Sequence, residues 1–299
     1  MCKGKLDLVD LDQKATGYRR FLSCWVWRGD DLTYVVDPGP RSTIEYLIDR
    51  LAALGVKKLD FVILTHIHLD HGGGAAQVLD AFPGARLYCH PDGVKHIVEP
   101  ERLWAGSKKV LGETAQMYGK PDPISPDAIA TKEDLAERGI EVIMTPGHAV
   151  HHVSFLHDSI LYVGEAIGTH QVIPSGDLYL RPATPPRFFL DQALQSFERL
   201  LAIKEEPQVT AFAHYGQADG AFRYIRAAKE QLVRWVDTIR ELKEESTDDL
   251  EPRLFARLME IDPLYGRGNF KQLDEDLQIR ERHFLGNTLD GIMGYLGQP

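Results

Sequence analysis

The amino-acid sequence predicts an α/β protein that continues into an all-helical C-terminal extension. Short apolar, β-branched segments alternate with amphipathic helical segments up to about residue 218, as expected for a layered α/β fold. Beyond this point the strand pattern stops, and apolar residues follow helical spacing instead. We therefore predict an α/β domain over residues 1–218 and a helical extension over residues 219–299.

Three antiparallel strands and a helix are predicted first along the chain. The strands are expected at 6–12, 19–27 and 32–39, with a hairpin turn at RGDD between the last two. Apolar residues then recur at helical spacing over 44–51, which predicts a helix. Ser42 is followed three positions later by Glu45, and this pair predicts a capping box at the start of that helix.

The alternation continues through the middle of the chain. The segment LDFVILTH at 59–66 is short, apolar and β-branched, which predicts a buried strand. Further strands are predicted at 85–90, 141–148, 151–158, 159–165 and 208–214, and further helices at 75–82, 101–119 and 188–203. Residues 171–187 combine prolines with a lack of periodicity, which predicts a long loop.

Composition and charge exclude several classes of protein. The 299 residues are 43% hydrophobic and 26% charged, as in an ordinary globular protein, and the net charge of −10 argues against a nucleic-acid partner. Three widely spaced cysteines without a CxxC pair indicate a reducing compartment. The N-terminus lacks the apolar core of a signal peptide, and no apolar stretch approaches the ~20 residues of a membrane span. We therefore expect a cytoplasmic protein without a membrane partner.

The most informative motif is LTHIHLDHGGG, which begins at the end of a predicted strand. His66 and His68 are two positions apart, so in extended backbone their imidazoles point to the same side and can face one metal ion. Asp70 and His71 follow one turn later, and they are displaced toward a second position where a metal ion could bind. The glycines allow a sharp turn into the next helix. A solvated polar loop is the alternative, but the strand–motif–glycine–helix context favours a metal site.

Four further motifs strengthen this interpretation, and together they resemble the metallo-β-lactamase superfamily from about Tyr18 to His214. The motifs are VVDPG at 35–39, TPGH at 145–148, LYVGE at 161–165 and AFAHYG at 211–216. The resemblance implies a four-layer αββα sandwich, with the helical extension packed near the active-site entrance. It also implies that Asp37, in the first of these motifs, supports the site.

The resemblance further implies two metal positions bridged by a carboxylate. The first position would be held by His66, His68 and His148, and the second by Asp70, His71 and His214. Glu165 would bridge them, although the family usually has Asp there and the extra methylene changes the reach of the carboxylate. Nitrogen and oxygen ligands suit two divalent ions, zinc or iron, with manganese also open.

The implied activity is that of a dinuclear hydrolase that cleaves an ester or thioester of a small molecule through metal-bound hydroxide, which Asp70 would orient. The helical extension is similar to that of glyoxalase II-type hydroxyacylglutathione hydrolases, so a thioesterase is the specific expectation. Three alternatives stay open: a phosphodiesterase or phosphorylcholine esterase, a mononuclear iron oxygenase of the persulfide dioxygenase type, and a non-catalytic ligand sensor. A homodimer is also left open.

Other side chains are predicted to support the site or to meet the substrate. His152 follows TPGH closely and is expected to hydrogen-bond beside the metal ligands. Tyr179 and Arg181 lie in the predicted loop beside the metals, where Arg181 would bind a carboxylate or phosphate of the substrate. Tyr215 adjoins His214 and would donate a hydrogen bond to a developing oxyanion.

Overall fold

Two five-stranded sheets form the centre of the computed structural model, which describes residues 4–13 and 17–297. The first sheet has the order β1-β2-β3-β4-β5. Its strands are β1 (Gly4–Asp10), β2 (Ser23–Gly29), β3 (Thr33–Val36), β4 (Phe61–Ile63) and β5 (Arg86–Tyr88). The first three pair antiparallel, as predicted, and β4 and β5 join them in parallel.

The second sheet has the order β12-β11-β8-β7-β6, and a separate hairpin pairs β9 with β10. The strands are β6 (Glu141–Met144), β7 (Val153–His157), β8 (Ile160–Gly164), β9 (Thr169–Val172), β10 (Leu178–Arg181), β11 (Val209–Phe212) and β12 (Gln217–Asp219). Strand β11 runs parallel to β8. The ends of β8 and β11 that carry the predicted site residues therefore lie side by side.

Eight helices of the α/β part connect and cover these sheets in the described residues. They are α1 (Ile44–Ala53), α2 (Leu69–Gly72), α3 (Ala75–Ala81), α4 (Pro91–Val98), α5 (Glu101–Leu111), α6 (Glu113–Tyr118), α7 (Lys132–Ala136) and α8 (Leu190–Leu201). Helices α1, α3, α4 and α6 contribute buried residues to the core on the outer face of the first sheet. Helix α8 packs on the outer face of the second sheet.

The alternation of side chains along β2 shows how the layers are built. Trp25 and Trp27 point into the core between the two sheets, whereas Cys24 and Val26 point into the core beneath the helices. The indole nitrogen of Trp25 donates across the sheets to the carbonyl oxygen of Phe212 at 2.9 Å. Helices, two facing sheets and helices follow one another, which confirms the predicted αββα sandwich.

The helical extension contains α9 (Phe222–Glu245), α10 (Leu250–Ile261), α11 (Arg267–Phe270) and α12 (Glu275–Leu296), as predicted. Its apolar side chains share one buried core with α8 and with the outer face of the second sheet. The boundary at residue 218 stays a prediction. Among the described residues, no helix combines the length and apolar character needed to cross a bilayer.

Two local predictions are wrong. The segment 171–187 is not a continuous loop, because β9 and β10 form an antiparallel hairpin there. The capping box is also absent: residues 41–43 form a 3₁₀ turn, and α1 begins after Thr43 without a side-chain cap. The Thr43 hydroxyl instead donates to the carbonyl oxygen of Pro40 at 3.0 Å.

Candidate metal centre

Seven side chains of metal-ligand type meet at one end of the sandwich, and they lie either after the end of a strand or on the short helix α2. His66 and His68 follow β4, α2 carries Asp70 and His71, His148 lies between β6 and β7, Glu165 follows β8, and His214 follows β11. They form two groups in which the ligand atoms all lie within 4.8 Å of one another. The groups are His66, His68, His148 and Glu165, and Asp70, His71 and His214. The structure therefore brings together every residue predicted as a metal ligand.

The carboxylate of Glu165 lies between the two groups. Its Oε2 atom is 3.1 Å from Nε2 of His148 and 3.2 Å from Nε2 of His66. The same oxygen is 3.3 Å from Nε2 of His71, while Oε1 is 3.6 Å from Nε2 of His214. One carboxylate thus contacts histidines of both groups, which is the geometry expected of a bridging ligand.

Two of the histidines have their orientation fixed by backbone carbonyl groups. Nδ1 of His148 lies 3.0 Å from the carbonyl oxygen of Ala183, and Nδ1 of His214 lies 2.8 Å from that of Phe21. A carbonyl oxygen only accepts hydrogen bonds, so Nδ1 carries the proton in both imidazoles. Nε2 then presents a lone pair toward Glu165, as a metal ligand must.

Asp37 orients one histidine in each group. Its Oδ1 accepts from the backbone N–H of Thr65 at 2.8 Å, and its Oδ2 accepts from the Thr65 hydroxyl at 2.7 Å. Oδ2 also lies 3.3 Å from Nδ1 of His71. Because the Thr65 hydroxyl donates to Asp37, its oxygen accepts from Nδ1 of His66 at 3.1 Å. The network leaves Nε2 of His66 and His71 free to bind a cation.

His152 holds the backbone that carries Glu165. The N–H of Glu165 donates to Nε2 of His152 at 3.0 Å, so the protonated Nδ1 donates to the Thr145 hydroxyl at 2.9 Å. Burial lowers the pKa of His152 well below its usual value, which keeps the ring neutral in this role. Gly164 is required beside it, because a Cβ there would overlap the imidazole and the φ of +57° disfavours other residues.

The electrostatics of the site favour a bound cation. Burial and the neighbouring imidazoles lower the pKa of His66 well below its usual value. Burial also opposes protonation of His71, but the carboxylates of Asp70, Asp37 and Glu165 outweigh it and raise the pKa of His71 well above its usual value. Three acidic side chains therefore concentrate negative charge around the imidazoles and favour a positive charge at His71, and a divalent cation bound in place of that proton would supply it.

A direct test of this fit is whether the ligand atoms already have partners. Nε2 of His66 and Nε2 of His71 are buried, and neither makes a hydrogen bond within the described part of the chain. A buried polar atom without a partner costs about 1–3 kcal/mol. Metal ions bound between the imidazoles and carboxylates would satisfy both atoms, so the residues present fit two divalent ions.

The three predicted substrate contacts lie in other surroundings. Tyr179 and Arg181 are buried, and both donate to the carboxylate of Glu281 on α12, at 3.2 and 2.8 Å. Burial and the nearby carboxylate of Asp10 raise the pKa of the Tyr215 hydroxyl to about 12. Their contact with substrate stays a prediction, and the sequence did not indicate the buried ion pair.

Sequence reasoning also missed three supporting residues. The hydroxyl of Thr65 directly precedes His66 and could have been recognised as a hydrogen-bonding partner from its position. The roles of Phe21 and Ala183 have no sequence signal, because their contribution is a backbone carbonyl group that every residue carries.

Comparison with known sequences finds a family model and relatives that match this chain. A model of the metallo-beta-lactamase superfamily matches residues 17–245. The metallo-beta-lactamase fold-containing protein ST1585 of Sulfurisphaera tokodaii is 30% identical over 202 residues, covering 64% of this chain and 72% of that protein. The hydroxyacylglutathione hydrolase of Aeromonas salmonicida is 27% identical over 231 residues, covering 77% of this chain and 76% of that enzyme.

Two solved structures share the fold. The archaeal metallo-beta-lactamase superfamily protein from Sulfolobus tokodaii superposes with a TM-score of 0.69 at 22% identity, covering 98% of this chain and 99% of that chain. The metallo-beta-lactamase family protein TTHA1429 from Thermus thermophilus gives a TM-score of 0.60 at 20% identity, with coverage of 84% and 87%. The first of these likenesses extends over nearly the whole chain, including the helical extension.

Proposed function

The chain belongs to the metallo-β-lactamase superfamily, and from this premise we propose that it hydrolyses an ester or thioester of a small molecule with two divalent metal ions. The observation that carries the proposal is the position of Glu165, whose two carboxylate oxygens face histidines of both ligand groups. A site with two metal positions supports hydrolysis without a serine or cysteine nucleophile.

Within this proposal, each ligand group holds one ion. His66, His68 and His148 bind the first ion, Asp70, His71 and His214 bind the second, and Glu165 bridges them. Zinc and iron both suit this set of nitrogen and oxygen ligands. When bound, two such ions acidify water and polarise a scissile carbonyl group.

Asp70 is the residue we assign to proton handling. Its side chain is 17% exposed, whereas that of Glu165 is 8% exposed and those of His71 and His214 are more buried. Its Oδ2 lies 3.6 Å from Nε2 of His71 and 3.6 Å from Nε2 of His214. The carboxylate therefore reaches the accessible side of the site, where it accepts a hydrogen bond from the attacking water and orients it.

The sequence relatives support a thioester as the substrate. The helical extension bears on which thiol forms that thioester. The hydroxyacylglutathione hydrolases are similar to this chain over about three quarters of its length. Arg280, a cationic residue of the extension, is buried and donates to Glu281 and to backbone carbonyl groups, so it is not free to bind an anionic carrier. We therefore assign no role in substrate binding to Arg280, and the proposed substrate class includes thioesters of glutathione and of other thiols.

The test is a substrate panel with the metal-free protein reloaded in turn with zinc, iron(II) and manganese. The panel contains an acyl thioester of glutathione, one of coenzyme A, an activated ester and bis-p-nitrophenyl phosphate, with dissolved oxygen monitored. We expect the wild type to release thiol or phenol. The rate should fall about 100-fold or more in Asp70→Asn and stay unchanged in Asp60→Asn. The proposal is contradicted by each of three other outcomes. Faster turnover of the phosphodiester than of the esters and thioesters would identify a phosphodiesterase, and oxygen uptake would identify an oxygenase. Ligand binding without turnover would identify a sensor.

A further inference from the structure

The last helix, α12, buries an unusual amount of polar surface against the α/β part. Arg280, Glu281 and Thr288 are only 2%, 1% and 1% exposed. Burial of charged groups is unfavourable unless they are paired and hydrogen-bonded. Their partners on the other side of this interface therefore indicate what the helix does.

The first part of α12 fixes the segment that leads to Phe21. Nη1 of Arg280 donates to the carbonyl oxygens of Gly17 at 2.8 Å and Arg19 at 3.2 Å. The guanidinium also lies over the ring of Phe21, 4.7 Å from its centroid. That ring is 4.4 Å from the imidazole of His214, and the carbonyl group of Phe21 accepts from Nδ1 of His214 at 2.8 Å.

The second part of α12 fixes the two residues that flank Ala183. The Thr288 hydroxyl donates to the carbonyl oxygen of Pro182 at 3.0 Å, and the Thr184 hydroxyl donates to that of Thr288 at 2.9 Å. Between these bonds the carbonyl group of Ala183 accepts from Nδ1 of His148 at 3.0 Å.

Gly291 allows this close approach of the helix. A Cβ there would overlap the carbonyl oxygen of Thr184 and would lie 2.7 Å from the carbonyl oxygen of Pro185. Both obstacles are backbone, so a side chain at this position must displace the segment or the helix.

We propose that α12 positions one histidine in each ligand group, His214 through Phe21 and His148 through Ala183. Arg280 and Gly291 are positioning residues in this arrangement, since neither contacts the ligand atoms. The helical extension then contributes to metal binding although it supplies no ligand. The inference rests on the proposed metal-binding role of these histidines, but the arrangement of hydrogen bonds is open to measurement in the metal-free protein.

The experiment compares Arg280→Met and Gly291→Ala with the wild type. Gly294→Ala is the matched control, because it is the same change in the same helix at an exposed position with open space around it. Long-range ¹H–¹⁵N spectra of the metal-free proteins report which ring nitrogen of each histidine carries the proton. Metal competition against a chelator reports the affinity of each position.

We expect Arg280→Met to shift the ring signals of His214 and leave those of His148, and Gly291→Ala to do the reverse. Each variant weakens metal binding about 10- to 100-fold at one position, the usual effect of losing a partner of a metal ligand. Gly294→Ala matches the wild type. If Arg280→Met does not fold, Arg280→Lys keeps the charge beside Glu281 and is expected to show the same selective shift at smaller amplitude.

The inference is overturned if both variants keep wild-type ring signals and metal affinity. It is equally overturned if both variants change His148 and His214 together, or if Gly294→Ala has the same effect as Gly291→Ala. If the two variants show the selective ring shifts but the wild-type protein binds no metal, the proposed function alone is contradicted. The positioning role of α12 then stays in place.

Discussion

The substitution Asp37→Asn tests how one buried carboxylate orients both ligand groups. Asp37 accepts three hydrogen bonds, two from Thr65 and one from His71, and it is only 3% exposed. An asparagine of the same shape keeps one acceptor, which the backbone N–H of Thr65 requires. Its NH₂ group then occupies the place of Oδ2 and faces the Thr65 hydroxyl and Nδ1 of His71.

All of these groups can still be satisfied in the metal-free protein, but with reversed directions. The Thr65 hydroxyl accepts from the amide and donates to Nδ1 of His66, and Nδ1 of His71 also becomes an acceptor. Both imidazoles then carry their proton on Nε2, where the metal ligand lone pair is needed. The opposite amide orientation leaves the buried N–H of Thr65 without a hydrogen bond. This costs about 1–3 kcal/mol of stability, so that orientation is disfavoured.

The expected magnitudes separate an effect on metal binding from a general loss of stability. Exchanging charged for neutral hydrogen bonds lowers the free energy of unfolding by about 2 kcal/mol. Part of this loss is offset because the variant no longer buries a charged carboxylate. Metal affinity falls about 10- to 100-fold at each of the two positions. Chelator competition measures the affinities, and ¹H–¹⁵N spectra identify the protonated nitrogen of His66 and His71.

Asp60→Asn is the matched control, because Asp60 also accepts a backbone N–H, that of Thr33 at 2.8 Å, and pairs with Lys58. This change is expected to leave metal affinity at the wild-type value. The reasoning is refuted if Asp37→Asn binds both ions with wild-type affinity while His66 and His71 keep the proton on Nδ1.

Three further predictions follow from the same contacts. His148→Ala removes the nitrogen 3.1 Å from both Glu165 Oε2 and His68 Nδ1, so metal analysis should find about one ion per chain and no activity. Glu165→Asp withdraws the carboxylate by about 1.5 Å, so the 3.6 Å contact with His214 is lost first; titration should show one position weakened and one retained. Burial and the charge of Asp12 raise the pKa of Asp10 to about 6, so Asp10→Asn should stabilise the fold by about 1–2 kcal/mol at pH 8, as measured by denaturant unfolding.

The pH dependence of the last prediction has a definite sign. The folded state holds the Asp10 proton up to about pH 6, whereas the unfolded state releases it near the ordinary aspartate pKa of 3.8. The carboxylate therefore destabilises the folded state fully above pH 6, and the advantage of Asp10→Asn disappears below about pH 4. An advantage that is constant across this range would contradict the assigned cause. The ligand assignments are contradicted if His148→Ala keeps the metal content of the wild type, or if Glu165→Asp binds no metal.

The layered fold could be predicted because its strands and helices differ in periodicity. Strand β2 alternates between two cores, and the extension repeats apolar residues at helical spacing over more than one long helix. The hairpin of β9 and β10 was not predicted because each strand has only four residues. Their pairing depends on contacts with distant parts of the chain, which local patterns do not contain.

The same contrast applies to the site. The His66 motif could be interpreted because its ligands are neighbours in sequence at the end of a strand. The other ligands were implied only by the resemblance of short motifs to the metallo-β-lactamase superfamily. Arg181 was assigned to substrate because the resemblance places its predicted loop beside the metals. Its partner in the structure, Glu281, lies 100 residues away, and no local pattern indicates it. The carbonyl groups of Phe21 and Ala183 could not be predicted, since their role depends on where α12 holds the backbone.

The most direct test of the account is a crystal structure of the metal-loaded protein, with diffraction measured on both sides of the metal absorption edges. The account predicts two anomalous peaks, the first among His66, His68 and His148 and the second among Asp70, His71 and His214. The carboxylate of Glu165 would lie between them. A single peak, peaks at other residues, or none after saturation with zinc, iron(II) and manganese would contradict it.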